Sequence, residues 1–159
     1  MTLHAPLPIA YQSKLSQRAI YMPGSSDRQP PDDGSLDDLK GLDVLLVEDS
    51  QDVGETVRAL LESWGANVAG PAATTAEAAT LIAQHLPDVA LVDFHLKGGE
   101  LSYGLIASLR ARGVPVVMLS GSFEYFPLPS IEGTIMLEKP FSEALLFAHL
   151  SRLYAKKTG

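Results

Sequence analysis

The feature that most constrains the fold is an alternation, beginning at Lys40, of short apolar segments with amphipathic segments. The apolar segments predict strands at Asp43–Glu48, Asn67–Gly70, Asp88–Asp93, Val114–Ser120 and Thr134–Glu138. Helical periodicity occupies 51–64, Thr74 to about Leu86, Ser102 to about Arg112, and Glu143 to about Lys156. Such alternation builds right-handed βαβ units. Five units predict a flavodoxin-like, doubly wound α/β fold, with a five-stranded parallel sheet and helices on both faces.

Several residues mark where the predicted helices begin, end and face the core. The sequence from Thr74 to Glu77 is a capping box, and Ser142 is placed to cap the last helix. Gly65 and Pro87 end the first two helices. The apolar face expected for the first helix consists of Val53, Val57, Leu60, Leu61 and Trp64.

Residues 1–39 differ in composition from the rest of the chain. They carry five prolines and an acidic stretch from Asp32 to Asp38, so they can bury little apolar surface. We therefore expect 1–39 to be a flexible N-terminal extension and 40–157 to be the folded domain.

Composition excludes several classes of function. A net charge of −7 argues against binding to nucleic acid or to an anionic membrane, since both need a basic surface. The chain has no cysteine, which excludes disulfides, thiolate nucleophiles and cysteine-ligated zinc. No signal peptide or membrane-spanning stretch is apparent, so we expect a cytoplasmic protein.

Polar residues collect at the predicted carboxyl ends of the strands, where ligands bind in folds of this kind. The first strand ends in Glu48 and Asp49, the third in Asp93, the fourth in Ser120, and the fifth leads into Lys139. Carboxylates in contact repel each other by roughly 4 kcal/mol per pair at an effective dielectric near 20. We therefore expect one crevice that attracts a hard divalent cation.

The residue types in this crevice suit phosphoryl chemistry. Oxygen ligands without histidine or cysteine favour Mg²⁺, Mn²⁺ or Ca²⁺ over zinc. A lysine and a hydroxyl can hold phosphoryl oxygens, and a carboxylate can form an aspartyl phosphate. The competing interpretation is local, because Asp49 or Ser50 could simply cap the first helix. The joint placement of these residues on four strands favours a common site.

The ordered set of motifs resembles the receiver domain of two-component response regulators, over about residues 40–156. The motifs are Val47-Glu48-Asp49-Ser50, Leu91-Val92-Asp93, Leu119-Ser120-Gly121 and Glu138-Lys139-Pro140-Phe141. The resemblance implies the strand order 2-1-3-4-5 and a cis peptide bond between Lys139 and Pro140. The loop after Asp93 is similar to that of stand-alone, single-domain receivers.

This resemblance also implies roles for individual residues. Asp93 would accept a phosphoryl group from a phosphohistidine on a sensor histidine kinase or histidine phosphotransfer protein. Ser120 and Lys139 would hold the phosphoryl oxygens. The implied Mg²⁺ ligands are Glu48, Asp49, Asp93 and the backbone carbonyl of His95. The imidazole of His95 could tune the lifetime of the phosphoryl group or simply be exposed, whereas His85 and His149 are expected to be surface or packing residues.

Two departures from the family pattern affect how the receiver would pass its signal to a downstream protein. Met136 occupies the position where the family usually has an aromatic switch residue. The segment 121–130 contains Pro127 and Pro129, so the fourth helix of the family should be short or irregular here. An apolar contact patch is expected around this segment from Tyr125, Phe126, Leu128 and Ile131.

The sequence suggests no effector domain after the last helix. We therefore expect no enzyme activity beyond self-phosphotransfer and autodephosphorylation, with output through binding to a downstream protein. The alternative is a pseudo-receiver, an interaction module that acts without phosphorylation. A phosphatase of the aspartyl-phosphate type is disfavoured, because Asp49-Ser50-Gln51 lacks the second acid of Asp-x-Asp.

Overall fold

Five parallel strands form one sheet in the computed structural model, which describes residues 38–121 and 133–159. The strands are β1 (Asp43–Val47), β2 (Asn67–Ala72), β3 (Val89–Asp93), β4 (Val116–Ser120) and β5 (Ile135–Glu138). Their order is β2-β1-β3-β4-β5, and every neighbouring pair is parallel. The predicted fold class and strand order are therefore confirmed.

Helices cover both faces of this sheet. They are α1 (Gln51–Ser63), α2 (Thr75–Gln84), α3 (Tyr103–Ala111) and α4 (Glu143–Thr158), with a short 3-10 turn at Lys97–Gly99. Alternate residues of each strand point to opposite faces. One face packs against α1 and α4, and the other against α2 and α3. No helix within 38–121 and 133–159 is long and apolar enough to cross a membrane.

The core reaches one residue beyond the predicted domain start. Leu39, the last residue of the predicted extension, is fully buried, and its N–H donates to the carbonyl of Trp64 at 2.8 Å. Residues 1–37 of the predicted extension lie outside the described residues. So does the segment 122–132, which includes most of the predicted fourth helix and the predicted apolar patch.

Local signals in the sequence located the helix starts correctly. The Thr74 hydroxyl accepts a hydrogen bond from the Glu77 N–H at 3.1 Å, and the Ser142 hydroxyl accepts from the Leu145 N–H at 3.0 Å. Ser50 caps α1, so Asp49 is not the cap residue. Residues that directly precede a helix are recognisable because capping is a local interaction.

Two expectations about α1 and β2 were wrong. Val53 is 39% exposed, and Gly54 is buried in its place. A side chain at Gly54 would collide with Pro71, since its Cβ would lie 2.8 Å from the Cβ of Pro71. β2 does not stop at Gly70 but continues through a cis Gly70–Pro71 bond to Ala72. Close packing of α1 on this end of β2 explains why Gly54, and not Val53, faces the sheet.

Candidate functional site

Three carboxylates meet at the carboxyl edge of the sheet. Glu48 and Asp49 directly follow β1, and Asp93 is the last residue of β3. The parallel register of these neighbouring strands, which pairs Val47 with Val92, places their ends side by side. One oxygen from each of the three carboxylates lies within 4.8 Å of the others.

Lys139 joins two of these carboxylates. Its Nζ atom lies 2.7 Å from Oε2 of Glu48 and 2.9 Å from Oδ2 of Asp93. The end of β4 positions this lysine, because its backbone N–H donates to the carbonyl of Ser120 at 2.7 Å. The following Lys139–Pro140 peptide bond is cis, as the sequence resemblance implied.

Burial controls the electrostatics of this cluster. Burial raises the pKa of Glu48, although hydrogen bonds from Lys139 and from the Ser50 N–H act in the other direction. Burial alone would lower the pKa of Lys139, but its hydrogen bonds to Glu48 and Asp93 outweigh burial and raise it. The cluster thus contains one ammonium and three carboxyl groups, and this excess of acidic groups favours binding of an added cation.

The donor set is suited to a hard divalent metal ion. Only oxygens contribute, and the three ligand oxygens lie within 4.8 Å of one another, so small side-chain movements bring them onto one hard cation. Two of the described histidines, His85 and His149, lie away from the cluster. The His85 ring bonds to Asp43 at 2.9 Å, and His149 is buried on α4. Mg²⁺ or a similar cation matches these residues, whereas zinc does not.

Ser120 completes the group of predicted residues at this edge. It is the last residue of β4 and is buried, and Gly121 after it is exposed. The β3–β4 register pairs Asp93 with Leu119, so Ser120 lies one residue beyond the phosphoacceptor candidate on the neighbouring strand. Glycine at 121 leaves open space beside it, since no atom of residues 38–121 and 133–159 lies within 4 Å of the position where a Cβ would be.

Comparison with known families agrees with this arrangement. The family model of the response regulator receiver domain matches residues 44–151, more than half of the chain. This chain belongs to the response regulator receiver domain family. The matched range contains Glu48, Asp49, Asp93 and Lys139.

Solved structures of other receivers resemble this one. The PhyR receiver domain of Erythrobacter litoralis is 26% identical with a TM-score of 0.64, over 72% of this chain and 91% of that chain. A putative response regulator of Chloroflexus aurantiacus is 27% identical with a TM-score of 0.63, over 73% of this chain and 99% of that chain.

A curated relative is much longer than the matched region. A protein-glutamate methylesterase/protein-glutamine glutaminase of Hahella chejuensis is 34% identical over 85 residues. The match covers 52% of this chain but only 24% of that protein. It therefore supports the shared receiver region and does not transfer the esterase or glutaminase activity.

The loop after the phosphoacceptor candidate of this receiver folds back on the cluster. The His95 N–H donates to Oδ1 of Asp93 at 3.2 Å, while the His95 residue itself is exposed. Ser102, nine residues after Asp93, is fully buried, and its hydroxyl donates to the Asp93 carbonyl at 2.7 Å. Sequence reasoning had placed Ser102 only at the start of a helix. No local signal reveals a contact that depends on how the loop closes.

Met136 lies on the edge strand β5 of the receiver, paired in register with Met118. It is among the exposed large hydrophobic residues, with 43% of its surface accessible. The position at which the family usually carries an aromatic switch therefore presents a flexible thioether side chain at the surface. Any signalling rearrangement in this receiver proceeds without an aromatic ring at residue 136.

Proposed function

We propose that this receiver accepts a phosphoryl group on Asp93 within a two-component or phosphorelay system. The observation that carries the proposal is the position of Lys139, whose ammonium donates to the carboxylates of both Glu48 and Asp93. The Asp49 carboxylate lies within 4.8 Å of the same two carboxylates. A purely structural ion pair would not require a third carboxylate within 4.8 Å. A nucleophilic carboxylate, a lysine and an acidic metal site are the parts that phosphoryl transfer needs.

The proposed reaction is a displacement at phosphorus. A carboxylate oxygen of Asp93 attacks the phosphorus of a phosphohistidine, and an O–P bond forms as the P–N bond breaks. The departing imidazole nitrogen keeps the electron pair. Water later hydrolyses the acyl phosphate, which releases inorganic phosphate and restores the carboxylate. Lys139 and the Ser120 hydroxyl are assigned to the phosphoryl oxygens, where a positive charge and a donor stabilise developing negative charge.

The metal ligands proposed are Glu48, Asp49, Asp93 and the backbone carbonyl of His95. When bound there, Mg²⁺ supplies Lewis-acid neutralisation of charge on the phosphoryl oxygens. These carboxylates would hold the ion, and Asp93 would keep one oxygen for attack. A clustered set of oxygen donors supports this assignment.

The proposed partners follow from the same chemistry. The phosphodonor is a sensor histidine kinase or a histidine phosphotransfer protein, and the output is binding to a downstream protein. We place the receiver at about residues 40–157, with Leu39 packed into its core, and assign it to the cytoplasm, where such donors operate. Its only proposed catalysis is its own phosphotransfer and autodephosphorylation.

Phosphorylation can be tested with a matched pair of variants. Wild-type protein incubated with Mg²⁺ and acetyl phosphate should gain the mass of one phosphoryl group, and Asp93→Ala should not. Asp88→Ala is the control, because Asp88 also pairs with a lysine at 2.6 Å but lies at the opposite edge of the sheet. A phosphoryl group on Asp93→Ala, or none on wild type, would contradict the assignment.

A second candidate function is a pseudo-receiver that binds its partner without phosphorylation. The exposed Met136 favours this alternative, because it replaces the aromatic residue that usually couples phosphorylation to output. The two functions differ in one measurement. Partner binding that is equal for wild type and Asp93→Ala, with or without acetyl phosphate, would establish the pseudo-receiver.

A further inference from the structure

Ser102 uses its hydroxyl differently from the residues at the other helix starts in the described part of the chain. Serine and threonine before a helix normally accept a hydrogen bond from an amide in its first turn. The residues that do so here are Ser50, Thr74 and Ser142. Within the described residues, the Ser102 side chain makes no such capping bond to α3. Its hydroxyl instead donates to the backbone carbonyl of Asp93 at 2.7 Å, with a longer contact of 3.3 Å to the carbonyl of Phe94.

Burial makes this contact a strong positional constraint. Ser102 is fully buried, so its hydrogen bonds form in a region of low dielectric constant where each is worth more than in water. Its backbone N–H also donates to the Phe94 carbonyl, at 3.0 Å. Ser102 therefore holds the two peptide units that follow Asp93. Loss of the hydroxyl would deprive a buried carbonyl of this donor, which is costly.

These two peptide units determine how the phosphoacceptor is presented. They lead directly to His95, whose N–H donates to Oδ1 of Asp93 at 3.2 Å. His95 then pairs in antiparallel fashion with Leu101, so the loop closes into a small hairpin with Ser102 at its base. Hydrogen bonds between side chains and the main chain thus connect the base of the loop to the Asp93 carboxylate.

We propose that Ser102 is a positioning residue for phosphoryl transfer at Asp93. Its hydrogen bonds fix the main chain after Asp93, which determines the position of the Asp93 carboxylate. They also keep the His95 N–H within hydrogen-bonding distance of that carboxylate. The inference rests on the proposed function, since it assigns the positioning of the same phosphoacceptor. A displacement of this loop by a fraction of an ångström would slow phosphorylation without removing any group that contacts phosphorus.

The first test measures the rate of phosphorylation by acetyl phosphate at saturating Mg²⁺. Ser102→Ala is expected to slow phosphorylation about tenfold, because reacting groups are sensitive to small errors in alignment. Thr74→Ala is the matched control. It also removes a side-chain hydroxyl bond at a helix start, 3.1 Å long, but that bond lies outside the loop after Asp93. The control should remain within about twofold of wild type.

The second test does not depend on phosphorylation. Amide hydrogen exchange in the unphosphorylated, metal-free protein reports directly on the His95 N–H. Ser102→Ala should exchange this amide about tenfold faster, the effect of losing one hydrogen bond's contribution, with α1 and α4 unchanged. If wild type accepts no phosphoryl group, the proposed function is wrong, but this arm still decides whether Ser102 positions the loop.

Two further variants separate the hydroxyl from the volume of the side chain. Ser102→Thr keeps the hydroxyl, so its phosphorylation rate and its His95 amide exchange rate should match wild type. Ser102→Cys has a similar volume to serine but is a weak donor, so it should behave like Ser102→Ala. This pair also carries the test if Ser102→Ala does not fold. Wild-type rates in the Ala and Cys variants, a Thr variant as slow as Ala, or a loss of protection spread evenly over the domain would overturn the proposal.

Discussion

The two edges of the sheet carry similar charged residues that behave differently. At the carboxyl edge, the Lys139 side chain is 25% exposed and pairs with Glu48 and Asp93, which are 2% and 9% exposed. At the amino edge, the Lys157 side chain is 40% exposed and pairs at 2.6 Å with Asp88, which is 27% exposed. Both edges therefore join a lysine to acids, and they differ in access to water.

Access to water decides what each arrangement can do. Exposed ion pairs are screened and contribute little, whereas buried charges depend on their partners. The amino edge resembles an ordinary solvated surface, where Asp43 also bonds to Asn67 and His85. The carboxyl edge holds three carboxyl groups around one ammonium. Only that edge combines the burial and the excess of negative charge that a metal-dependent phosphoacceptor site requires.

The largest effect expected concerns the backbone that supports the carboxyl edge. Gly70 has φ +107°, and a Cβ there would overlap the carbonyl oxygen of Leu46, in the strand that leads to Glu48. Gly70→Ala should lower the free energy of unfolding by roughly 4 kcal/mol, through backbone strain together with steric overlap. Gly113→Ala, at the amino edge with φ +78° and no atom of the described residues within 4 Å of its Cβ position, should cost only about 1 kcal/mol. Equal losses in urea denaturation would contradict this difference between the edges.

The next effect concerns the two lysines. Lys139→Met leaves Glu48 and Asp93 buried without their cation and should cost about 3 kcal/mol in metal-free buffer. Lys157→Met removes a solvated pair and should cause a much smaller loss. Chemical denaturation of both variants in the presence of a chelator makes the comparison. The contrast between the edges would be refuted if Lys157→Met proved as damaging as Lys139→Met.

A smaller effect of opposite sign is expected for Asp49→Asn. Removing one of three clustered negative charges should stabilise the metal-free protein by roughly 1 kcal/mol, the interaction of unit charges about 4 Å apart in water. The same change should abolish the added stability that Mg²⁺ confers on wild type, since a ligand is lost. Thermal unfolding with and without Mg²⁺ measures both. Destabilisation in the metal-free state would show that repulsion does not dominate there.

The smallest effect is a pH dependence at the amino edge. The hydrogen bond from Asn67 is the main reason that the pKa of Asp43 lies below its ordinary value of 3.8, with His85 and Lys157 adding to it. An acid with a lowered pKa contributes stability above its unfolded-state pKa and loses it as pH falls through the folded-state value. Wild type should therefore lose more stability than Asp43→Asn between about pH 5 and pH 3. Parallel curves for the two proteins in urea titrations would show that Asp43 makes no such contribution.

Strand ends were the most informative part of the sequence. Five residues could be predicted because parallel strands bring their carboxyl ends to one edge: Glu48, Asp49, Asp93, Ser120 and Lys139. The structure places the three acids within 4.8 Å of one another there and bonds the lysine to Glu48 and Asp93. Val53 shows the limit of this reasoning. Helical periodicity assigned it to the core, but the close approach of Gly54 to Pro71 leaves it exposed. Such packing depends on residues far apart in the chain.

By itself, the sequence determined the α/β alternation, the helix caps at Thr74 and Ser142, and the chemical types available at the carboxyl edge. These follow from interactions within a few residues, or from a topology rule that holds for any parallel sheet. Only the tertiary structure decided that Lys139 bonds both Glu48 and Asp93, and that Ser102 bonds the main chain of Asp93 instead of capping α3. Those contacts depend on burial and on how loops close, which local sequence patterns do not encode.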